Sequence, residues 1–399
     1  MQTLEQQFSI KYTFPVYFTR DVFNAEEKLL TSVLLKGGKK RHKILCIIDS
    51  GVLDHHPFLG RRIEHYASVH RDIMELCSPI IPLRGGEKCK NQPAVVESLL
   101  ADMEKQHLCR QSFVLVIGGG AVLDTAGYAA AIAHRGLRLI RMPTTVLAQN
   151  DAGVGVKNGI NAMGRKNFLG TFSPPFAVIN DYTFLDTLPA RELRAGMAEA
   201  VKVALIKDRS FFNSLYDRRA SLAAFKGRDM EEMIYRCAAL HMLHIGTQGD
   251  PFEFGSARPL DFGHWSAHKL EELTSSMLNH GEAVSIGMAL DAVYSLLIGM
   301  IEIHDLQRIL TLLTELELPL YHPALETMDV ASALDEFREH LGGGLAITLL
   351  TGIGSKKEVN RIDTSLMKRS IGLLELYNQS RSIDFNLDRR TAYAYQEVS

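Results

Sequence analysis

Short apolar runs alternate with helical patterns over the first half of the chain. Four runs are apolar and β-branched enough to form buried strands, at residues 43–49, 113–118, 137–142 and 176–181. Between them, segments 93–105 and 121–134 repeat apolar residues at helical spacing. Alternating strands and helices are typical of a parallel sheet with helices on its faces. Residues 1–183 are therefore predicted to form an α/β domain of the nucleotide-binding kind.

After about Phe184 the β-rich runs largely stop and the apolar positions follow the period of buried helices. The clearest examples are segments 191–208, 230–245 and 281–300. Residues 184–377 are predicted to form a mainly helical second domain. The polar, aperiodic residues 378–399 are predicted to form a C-terminal tail, and no chemistry is assigned to them.

Composition narrows the class of protein. The 399 residues, 46% hydrophobic and 23% charged, exceed what one core usually organises, which agrees with two domains. A net charge of -2 without a long basic block argues against a nucleic acid partner. The N-terminal segment lacks a basic start and an apolar run, and the most apolar stretch, 283–301, contains Asp291. The five cysteines have no paired spacing. We therefore expect a cytoplasmic protein without a membrane partner.

A glycine triplet, Gly118-Gly119-Gly120, ends one predicted strand and opens a helix. Without side chains, backbone N–H groups can approach a diphosphate at a helix N-terminus. A tight strand-to-helix turn would explain the triplet equally well, and its spacing is not GxGxxG.

An ordered series of motifs follows the triplet and favours a nucleotide site over a simple strand-to-helix turn. It comprises Asp124, Arg135-Gly136, Pro143-Thr144-Thr145, Asp151, Lys157 and Lys166-Asn167. The series resembles the cofactor half of 3-dehydroquinate synthases and their sugar phosphate cyclase relatives, which read GGGxxxD, RG, PTTxLA, DxxxxxK and KN in that order. The resemblance implies that NAD is bound by Gly118, Gly119, Gly120, Asp124, Thr144, Thr145, Asp151 and Lys166.

Three upstream residues extend this resemblance. Asp49, Glu87 and Lys90 match positions that hold the adenosine ribose in the family. Taken singly, they would be read as a turn residue and two solvated loop charges.

The second half carries the family's metal motifs, AExxK, GHxxxH and HGE, in order. The resemblance implies that Glu199, His264 and His280 hold one divalent ion, zinc or cobalt. One carboxylate and two imidazoles suit zinc and leave positions open for substrate oxygens. Spacing alone would favour structural histidines. Lys202 follows Glu199 by one helical turn, so both side chains leave the same face of a helix.

The family's reaction gives roles to further residues. Its members oxidise a substrate alcohol with NAD, eliminate phosphate, reduce the ketone again and close a ring by an internal aldol step. The resemblance makes Lys157, Asn167 and His268 phosphate ligands and places Glu253 near the substrate hydroxyls. It also implies a homodimer, because Arg135 matches a residue that reaches into the partner's site.

Some positions depart from 3-dehydroquinate synthases. Where those enzymes read RxxxNxGH, this chain has Ala257 and Asp261, with an arginine displaced to Arg258. Losing a positioned guanidinium and gaining an anion disfavours a carboxylate substrate. A family lysine is matched only by His241, and the C-terminal DKK element is missing, with Arg338 as its candidate replacement.

These departures resemble the valiolone-type branch, whose substrate, sedoheptulose 7-phosphate, has no carboxylate. We therefore expect a valiolone-type cyclase first and a 3-dehydroquinate synthase second. A metal-dependent polyol dehydrogenase shares the architecture and the glycine triplet but does not need paired phosphate ligands. A non-catalytic NAD-binding regulator is disfavoured by the complete set of metal ligands.

Overall fold

The structure, a computed structural model, describes residues 2–38, 40–247, 260–275, 277–340 and 344–380. It divides into two compact units. The first contains the chain up to Thr144 and Gly153–Thr187. The second contains Thr145–Ala152 and the chain from Leu188.

The first unit is built on a seven-stranded parallel sheet and one separate hairpin. Its strands are β1 (Val16–Thr19), β2 (His42–Asp49), β3 (Met74–Leu76), β4 (Ile81–Leu83), β5 (Phe113–Gly118), β6 (Arg138–Pro143), β7 (Lys157–Ala162), β8 (Arg165–Phe172) and β9 (Ala177–Asp181). The sheet order is β1-β9-β6-β5-β2-β3, with β4 also paired to β2, and β7 and β8 form the antiparallel hairpin. The helices of this unit are α1 (Leu29–Leu35), α2 (Ser50–His55), α3 (Leu59–Val69), α4 (Pro93–Lys105) and α5 (Gly120–Ile132).

The centre of the sheet is apolar on both faces. All residues of β5 are buried, and its Leu115 pairs with Cys46 of β2 on one side and with Ile140 of β6 on the other. A strand that is covered on both faces reads as a continuous apolar run, which is how the sequence identified it. The carboxyl ends of β2 and β5 are thereby fixed beside each other.

The second unit is mainly helical. Its helices are α6 (Ala190–Lys207), α7 (Arg209–Asp217), α8 (Arg219–Ala223), α9 (Gly227–Thr247), α10 (His264–Leu273), α11 (His280–Leu297), α12 (Ile303–Glu315), α13 (Ala324–Thr327), α14 (Val330–His340) and α15 (Thr364–Ser380). One antiparallel hairpin, β10 (Ile347–Gly352) with β11 (Ser355–Val359), completes it. None of the described helices is long and apolar enough to cross a membrane.

Glycines let α6, α10 and α11 approach closely. A Cβ atom added to Gly281 of α11 would lie 2.0 Å from the backbone oxygen of Ala195 in α6. A Cβ atom added to Gly287 would lie 2.0 Å from the oxygen of Gly263, just before α10. Both separations are far shorter than van der Waals contact, so any side chain there would push the helices apart.

A buried carboxylate also joins α10 to α11. Asp291 of α11 accepts hydrogen bonds from the Gly263 backbone N–H at 3.1 Å and the Trp265 indole N–H at 2.9 Å. Burial raises the pKa of Asp291 to about 7, although both N–H donors oppose the rise. Because the two donors flank His264, this carboxylate fixes the start of α10.

The predicted α/β and helical architecture is confirmed, with corrections. The four predicted strands match β2, β5, β6 and β9 to within one residue at each end. The two hairpins and the short strands β1, β3 and β4 were not predicted from the sequence. Residues Thr145–Ala152 belong to the second unit although they precede the predicted boundary, because Asn150 donates a hydrogen bond to the Gly196 oxygen of α6. Of the expected tail, residues 378–380 end α15, and the rest lies outside the described residues.

Replacing Asp291 tests the tie between α10 and α11. Asp291→Ala leaves two buried N–H donors without their acceptor, and we expect it to lower the free energy of unfolding by about 2–4 kcal/mol. Urea denaturation measures this loss. Asp335→Ala, at an exposed ion pair on α14, should change it by less than about 0.5 kcal/mol. Equal stability of the two variants would contradict the role given to Asp291.

Candidate active site

The glycine turn of the first unit, formed by Gly118, Gly119 and Gly120, lies beside the side chain of Asp49. This residue ends β2 and accepts a hydrogen bond from the Gly51 N–H at 2.9 Å. Its carboxylate also faces the backbone N–H groups of Gly85 and Gly119, and these donors oppose the rise that burial causes in the pKa of Asp49. The predicted ribose ligand Asp49 thus lies at the glycine triplet.

Crowding requires a glycine at position 118, whereas the backbone angles of the triplet are not unusual. Gly119 has a φ of −73°, and Gly120 begins α5 with ordinary helical geometry. A Cβ atom on Gly118 would lie 2.8 Å from Val122 Cγ1. The α5 N-terminus has no side-chain cap, which leaves its first N–H groups available to an anion.

A polar network around a buried lysine joins four predicted residues of the first unit. Lys90 Nζ donates to Asp124 Oδ2 at 2.7 Å and also to Asn167 Oδ1. Glu87 Oε1 accepts from Asn161 Nδ2 at 2.8 Å, and Asn161 Oδ1 accepts from the Asn167 N–H at 2.8 Å. Glu87, Lys90, Asp124 and Asn167 therefore share one polar network. Asn161, which holds it together, was not identified from the sequence.

Arg141 is a second residue that the sequence analysis missed. It lies in β6, is fully buried, and donates to the backbone oxygens of Gly155 at 2.9 Å and Lys157 at 2.8 Å. Burial lowers its pKa to about 10, while nearby Asp124 opposes the fall. The guanidinium supplies hydrogen-bond donors to the backbone oxygens of the loop that leads into β7, so it positions Lys157. Its apolar surroundings, LRLIRM, signalled a strand and gave no sign of this role.

The other predicted residues of the first unit are spread more widely. Thr144 is buried, and its N–H donates to the Gly118 oxygen at 3.1 Å. Lys157 and Lys166 are exposed on the β7–β8 hairpin. Arg135 is exposed after α5 and has a φ of +64°. Their ligand roles stay predictions.

In the second unit, the three predicted metal ligands meet. Glu199 is contributed by α6, His264 by the start of α10 and His280 by the start of α11. Their ligand atoms all lie within 4.8 Å of one another. Glu199 Oε1 is 3.7 Å from His264 Nε2 and 3.5 Å from His280 Nε2. Residues that are far apart in sequence thus form a compact donor set.

This donor set fits a tetrahedral divalent ion. Zinc with ligands at 2.0–2.2 Å would place them roughly 3.3–3.6 Å apart, close to the two separations above. Glu199 Oε1 is buried and makes no hydrogen bond to the described residues. A buried carboxylate oxygen without a hydrogen bond is costly unless a cation occupies the space before it.

The protonation of two ligands suits metal binding. Burial would raise the pKa of Glu199, but the Lys202 ammonium, which contacts its Oε2, and His280 lower it to about 2. Burial and the charge of Lys202 hold the pKa of His264 well below its usual range. Glu199 is therefore ionised and His264 neutral, the states in which these groups bind metals.

Neighbouring groups orient both imidazoles. His264 Nδ1 lies 3.1 Å from the Phe262 backbone oxygen, which leaves Nε2 as the atom that faces Glu199. His280 Nδ1 lies 3.6 Å from Glu271 Oε2, a buried carboxylate on α10. Such partners fix the ring orientation of metal-binding histidines. Glu271 follows His268 by about one helical turn, and this spacing could have identified Glu271 as a residue near the metal site.

Other predicted residues of the second unit surround this cluster. The ring of His268 lies 5.6 Å from that of His264 and 6.3 Å from that of His280. Asp261 accepts the His264 N–H through its backbone oxygen at 2.9 Å, and its negative charge raises the pKa of Lys202. Glu253 lies outside the described residues.

Two residues assigned to the cofactor belong to this unit. Thr145 Oγ1 accepts the Ala148 N–H at 3.1 Å at the start of the π-helical turn Ala148–Ala152. On that turn, Asp151 Oδ1 lies 2.7 Å from His241 Nδ1 of α9. Burial would raise the pKa of Asp151, but the interactions with His241 and Lys202 together outweigh it and leave the pKa lowered. The cofactor roles of Thr145 and Asp151 stay predictions.

Comparisons with known proteins agree with this arrangement. A 2-epi-5-epi-valiolone synthase of Streptomyces glaucescens is 36% identical over 279 residues, 70% of this chain and 71% of that protein. A 3-dehydroquinate synthase of Natranaerobius thermophilus is 32% identical over 375 residues, 92% of this chain and 96% of that protein.

A solved structure extends the likeness to three dimensions. ValA, a 2-epi-5-epi-valiolone synthase of Streptomyces hygroscopicus subsp. jinggangensis 5008 with NAD+ and Zn2+ bound, superposes with a TM-score of 0.82 at 29% identity. The match covers 94% of this chain and 99% of that one.

Family models give the same assignment for both halves of the chain. The 3-dehydroquinate synthase N-terminal model matches residues 80–195, and the 3-dehydroquinate synthase C-terminal model matches residues 196–339. The three predicted metal ligands and Gly118, Gly119 and Gly120 all fall within these matches. This chain therefore belongs to the 3-dehydroquinate synthase family.

Proposed function

We propose that this protein is a sugar phosphate cyclase that converts a seven-carbon ketose phosphate, sedoheptulose 7-phosphate, into a cyclitol. The observation that carries this proposal is the meeting of Glu199, His264 and His280 beside Lys202. A purely structural role would not need a carboxylate held ionised in a buried site with two imidazoles around it.

The proposed cofactors are NAD and one divalent ion, zinc or cobalt. Support comes from the donor set described above and from ValA, which was solved with NAD+ and Zn2+. When bound, NAD would accept and return a hydride while the ion polarises the substrate oxygens. We assign the ion to Glu199, His264 and His280. We assign the dinucleotide to the glycine turn with Asp49, Glu87, Lys90, Asp124, Thr144, Thr145, Asp151 and Lys166.

The remaining residues position the substrate and balance charge. Lys202 keeps Glu199 ionised, because its ammonium stays protonated between Glu199 and Asp151. His268 is proposed to bind the leaving phosphate, as are Lys157 and Asn167. The leaving group carries its own basic oxygens, so these cationic and amide donors matter more than a separate base.

Asp261 supports sedoheptulose 7-phosphate as the substrate. Its negative charge raises the pKa of Lys202, so we place it near the Glu199 cluster. An anion there would repel the carboxylate of the heptulosonate used by 3-dehydroquinate synthases but would accept hydrogen bonds from the hydroxyls of a neutral ketose. 3-Dehydroquinate synthase remains the second candidate, because one such relative matches over 92% of this chain.

We also propose a homodimer. Every residue of β8 except Thr171 is exposed, and the β7–β8 hairpin presents the exposed apolar side chains of Met163, Phe168, Leu169 and Phe172. A strand of this kind usually pairs or packs with another surface. We propose that this surface belongs to a second copy of the chain, because the family resemblance implies that Arg135 reaches into the partner's site.

The metal assignment predicts the effect of Glu199→Gln. Removing the negative charge should weaken zinc binding by at least about 100-fold and abolish turnover, because zinc loses its anionic ligand. Metal content by mass spectrometry and phosphate release measure these effects, and calorimetry should show unchanged NAD affinity. His264→Ala should also lose zinc and turnover while its NAD affinity stays unchanged.

Glu272→Gln is the matched control, since Glu272 is an exposed glutamate on α10. It should keep both zinc and activity. Full zinc occupancy in Glu199→Gln would rule out the proposed site.

The substrate assignment predicts faster phosphate release from sedoheptulose 7-phosphate than from 3-deoxy-heptulosonate 7-phosphate. No net NADH should accumulate, because the hydride returns to the substrate. Asp261→Asn should raise the relative kcat/KM for the heptulosonate by about tenfold, since a like charge is removed. A preference of the unmodified protein for the heptulosonate would favour 3-dehydroquinate synthase, and net NADH would favour a polyol dehydrogenase.

The dimer proposal predicts that Phe168→Glu shifts the protein to a monomer, because it places a charge on the apolar strand. Light scattering coupled to gel filtration measures the mass. Phe58→Glu, at a comparably exposed apolar side chain near the start of α3, should leave the mass unchanged. A monomeric unmodified protein, or a dimeric Phe168→Glu variant, would refute the proposed interface.

A further inference from the structure

An open pocket of about 490 Å³ lies in the first unit, between α3 and the segment that follows β1. Phe58, Arg61, Arg62 and His65 line one side of it. These positions recur at helical spacing, so their side chains share one face of α3 and of the residue before it. The other side is formed by residues between positions 21 and 25. A volume of this size is typical of sites that bind small molecules.

Fixed contacts hold the segment opposite α3 in place. The carboxylate of Asp181, at the end of β9, accepts the N–H groups of Asp21 at 3.1 Å and Val22 at 2.8 Å. Phe23 is buried, and its ring lies edge-on to that of Tyr66 in α3 with the ring centroids 6.0 Å apart. Both sides of the pocket are therefore anchored to the core of the unit, and a ligand would not have to order them.

The charges that line the pocket favour an anion. Arg62 Nη2 donates to Asp21 Oδ1, so the single acidic side chain of the lining is already paired with one arginine. The side chains of Arg61 and His65 are exposed and form no ion pair or hydrogen bond with any residue that the structure describes. The pocket therefore keeps one uncompensated guanidinium and one imidazole as donors, four residues apart on the same helix face.

An exposed phenylalanine indicates the rest of the ligand. Phe58 lies immediately before α3, and its side chain is 66% exposed. Single exposed apolar residues are common on protein surfaces and need no explanation by themselves. This one borders the same pocket as the unpaired guanidinium of Arg61. A ligand with a flat ring would cover Phe58 while its anionic group accepts hydrogen bonds from Arg61.

The helix that carries the pocket and the helix that begins at the glycine turn pack on opposite faces of the sheet. Ile63 and Tyr66 of α3 share one apolar cluster with Ile140 of β6. The preceding residue, Leu139, faces α5, because a Cβ atom added to Gly127 would lie 3.3 Å from Leu139 Cδ2. Successive residues of a strand point to opposite faces. The pocket is therefore separate from the predicted cofactor residues on α5.

We propose that this pocket is a second ligand site of the protein, which binds a small aromatic phosphate ester. The phosphate group accepts hydrogen bonds from Arg61 and His65, and the ring of the ligand lies against Phe58. A phosphate group has enough acceptor oxygens to meet both donors at once, and a guanidinium can bind it through two parallel N–H groups. The inference goes beyond the proposed cyclase reaction and does not depend on it.

Phenyl phosphate is the probe, because it joins one ring to one phosphate group. Calorimetry should show that Arg61→Gln weakens its binding at least about tenfold, since a charged hydrogen-bond donor is lost. Arg71→Gln, at an exposed arginine just after α3, should change the affinity by less than about twofold. His268→Gln, which alters a predicted ligand of the substrate phosphate, should also leave it unchanged. No binding to the unmodified protein at millimolar concentration, or equal affinity in Arg61→Gln, would overturn the proposal.

Two further probes test the class of ligand. Inorganic phosphate lacks the ring and should bind the unmodified protein at least about tenfold more weakly than phenyl phosphate does. Phe58→Ala should remove most of this difference. Benzoate, which carries a carboxylate on the same ring, should bind more weakly than phenyl phosphate. If inorganic phosphate binds as tightly as phenyl phosphate, or if benzoate binds more tightly, the pocket is not a site for an aromatic phosphate ester.

Turnover tests whether the pocket is separate from the active site. Arg61→Gln should keep kcat/KM for sedoheptulose 7-phosphate within about twofold of the unmodified protein, because Arg61 lies outside the residues assigned to metal, cofactor or substrate. Loss of turnover together with loss of phenyl phosphate binding would place Arg61 in the active site and overturn the second site. If the unmodified protein turns over no sugar phosphate but Arg61→Gln still loses phenyl phosphate binding, the proposed function fails and the second site stands.

Discussion

The structure of the second unit depends on one buried ion pair, between Glu199 and Lys202 on the same face of α6. Neither side chain could be buried alone, because an isolated charge in a protein interior is strongly destabilising. Together they place an ionised carboxylate where two imidazoles from α10 and α11 converge. The helix spacing of the pair, the close approach of the helices and the orientation of the histidines all serve this arrangement.

Close packing is what allows a carboxylate and two histidines from three helices to meet. Gly281 and Gly287 let α11 approach the backbones of Ala195 and Gly263 to distances that no side chain would permit. Asp291 then fixes the position of the first turn of α10 against α11. A shift of one ångström at any of these contacts would separate donors that must lie within a metal's coordination distance. The ordinary core of the unit therefore determines the geometry of the site.

The sequence predicted most of the regular architecture and the ligand set, but not the groups that support them. Strands such as β5 were predictable because burial on both faces makes them uniformly apolar. Glu199, His264 and His280 were found through motif order and not through spacing. Arg141 and Asn161 were missed because their partners are backbone atoms and side chains that only the fold brings near.

Segment Thr145–Ala152 shows why a boundary read from periodicity can fail. The sequence around it follows the α/β pattern, and β6 ends immediately before it. Two polar contacts contribute to its packing, Asn150 with the Gly196 oxygen and Asp151 with His241, and these leave no trace in hydrophobic periodicity. The negative charge of Asp151 raises the pKa of Lys202, so this short turn helps to keep the lysine protonated beside Glu199. Replacing such a buried polar cluster with apolar residues would often stabilise a protein, and its presence here is therefore best explained by chemistry and not by folding.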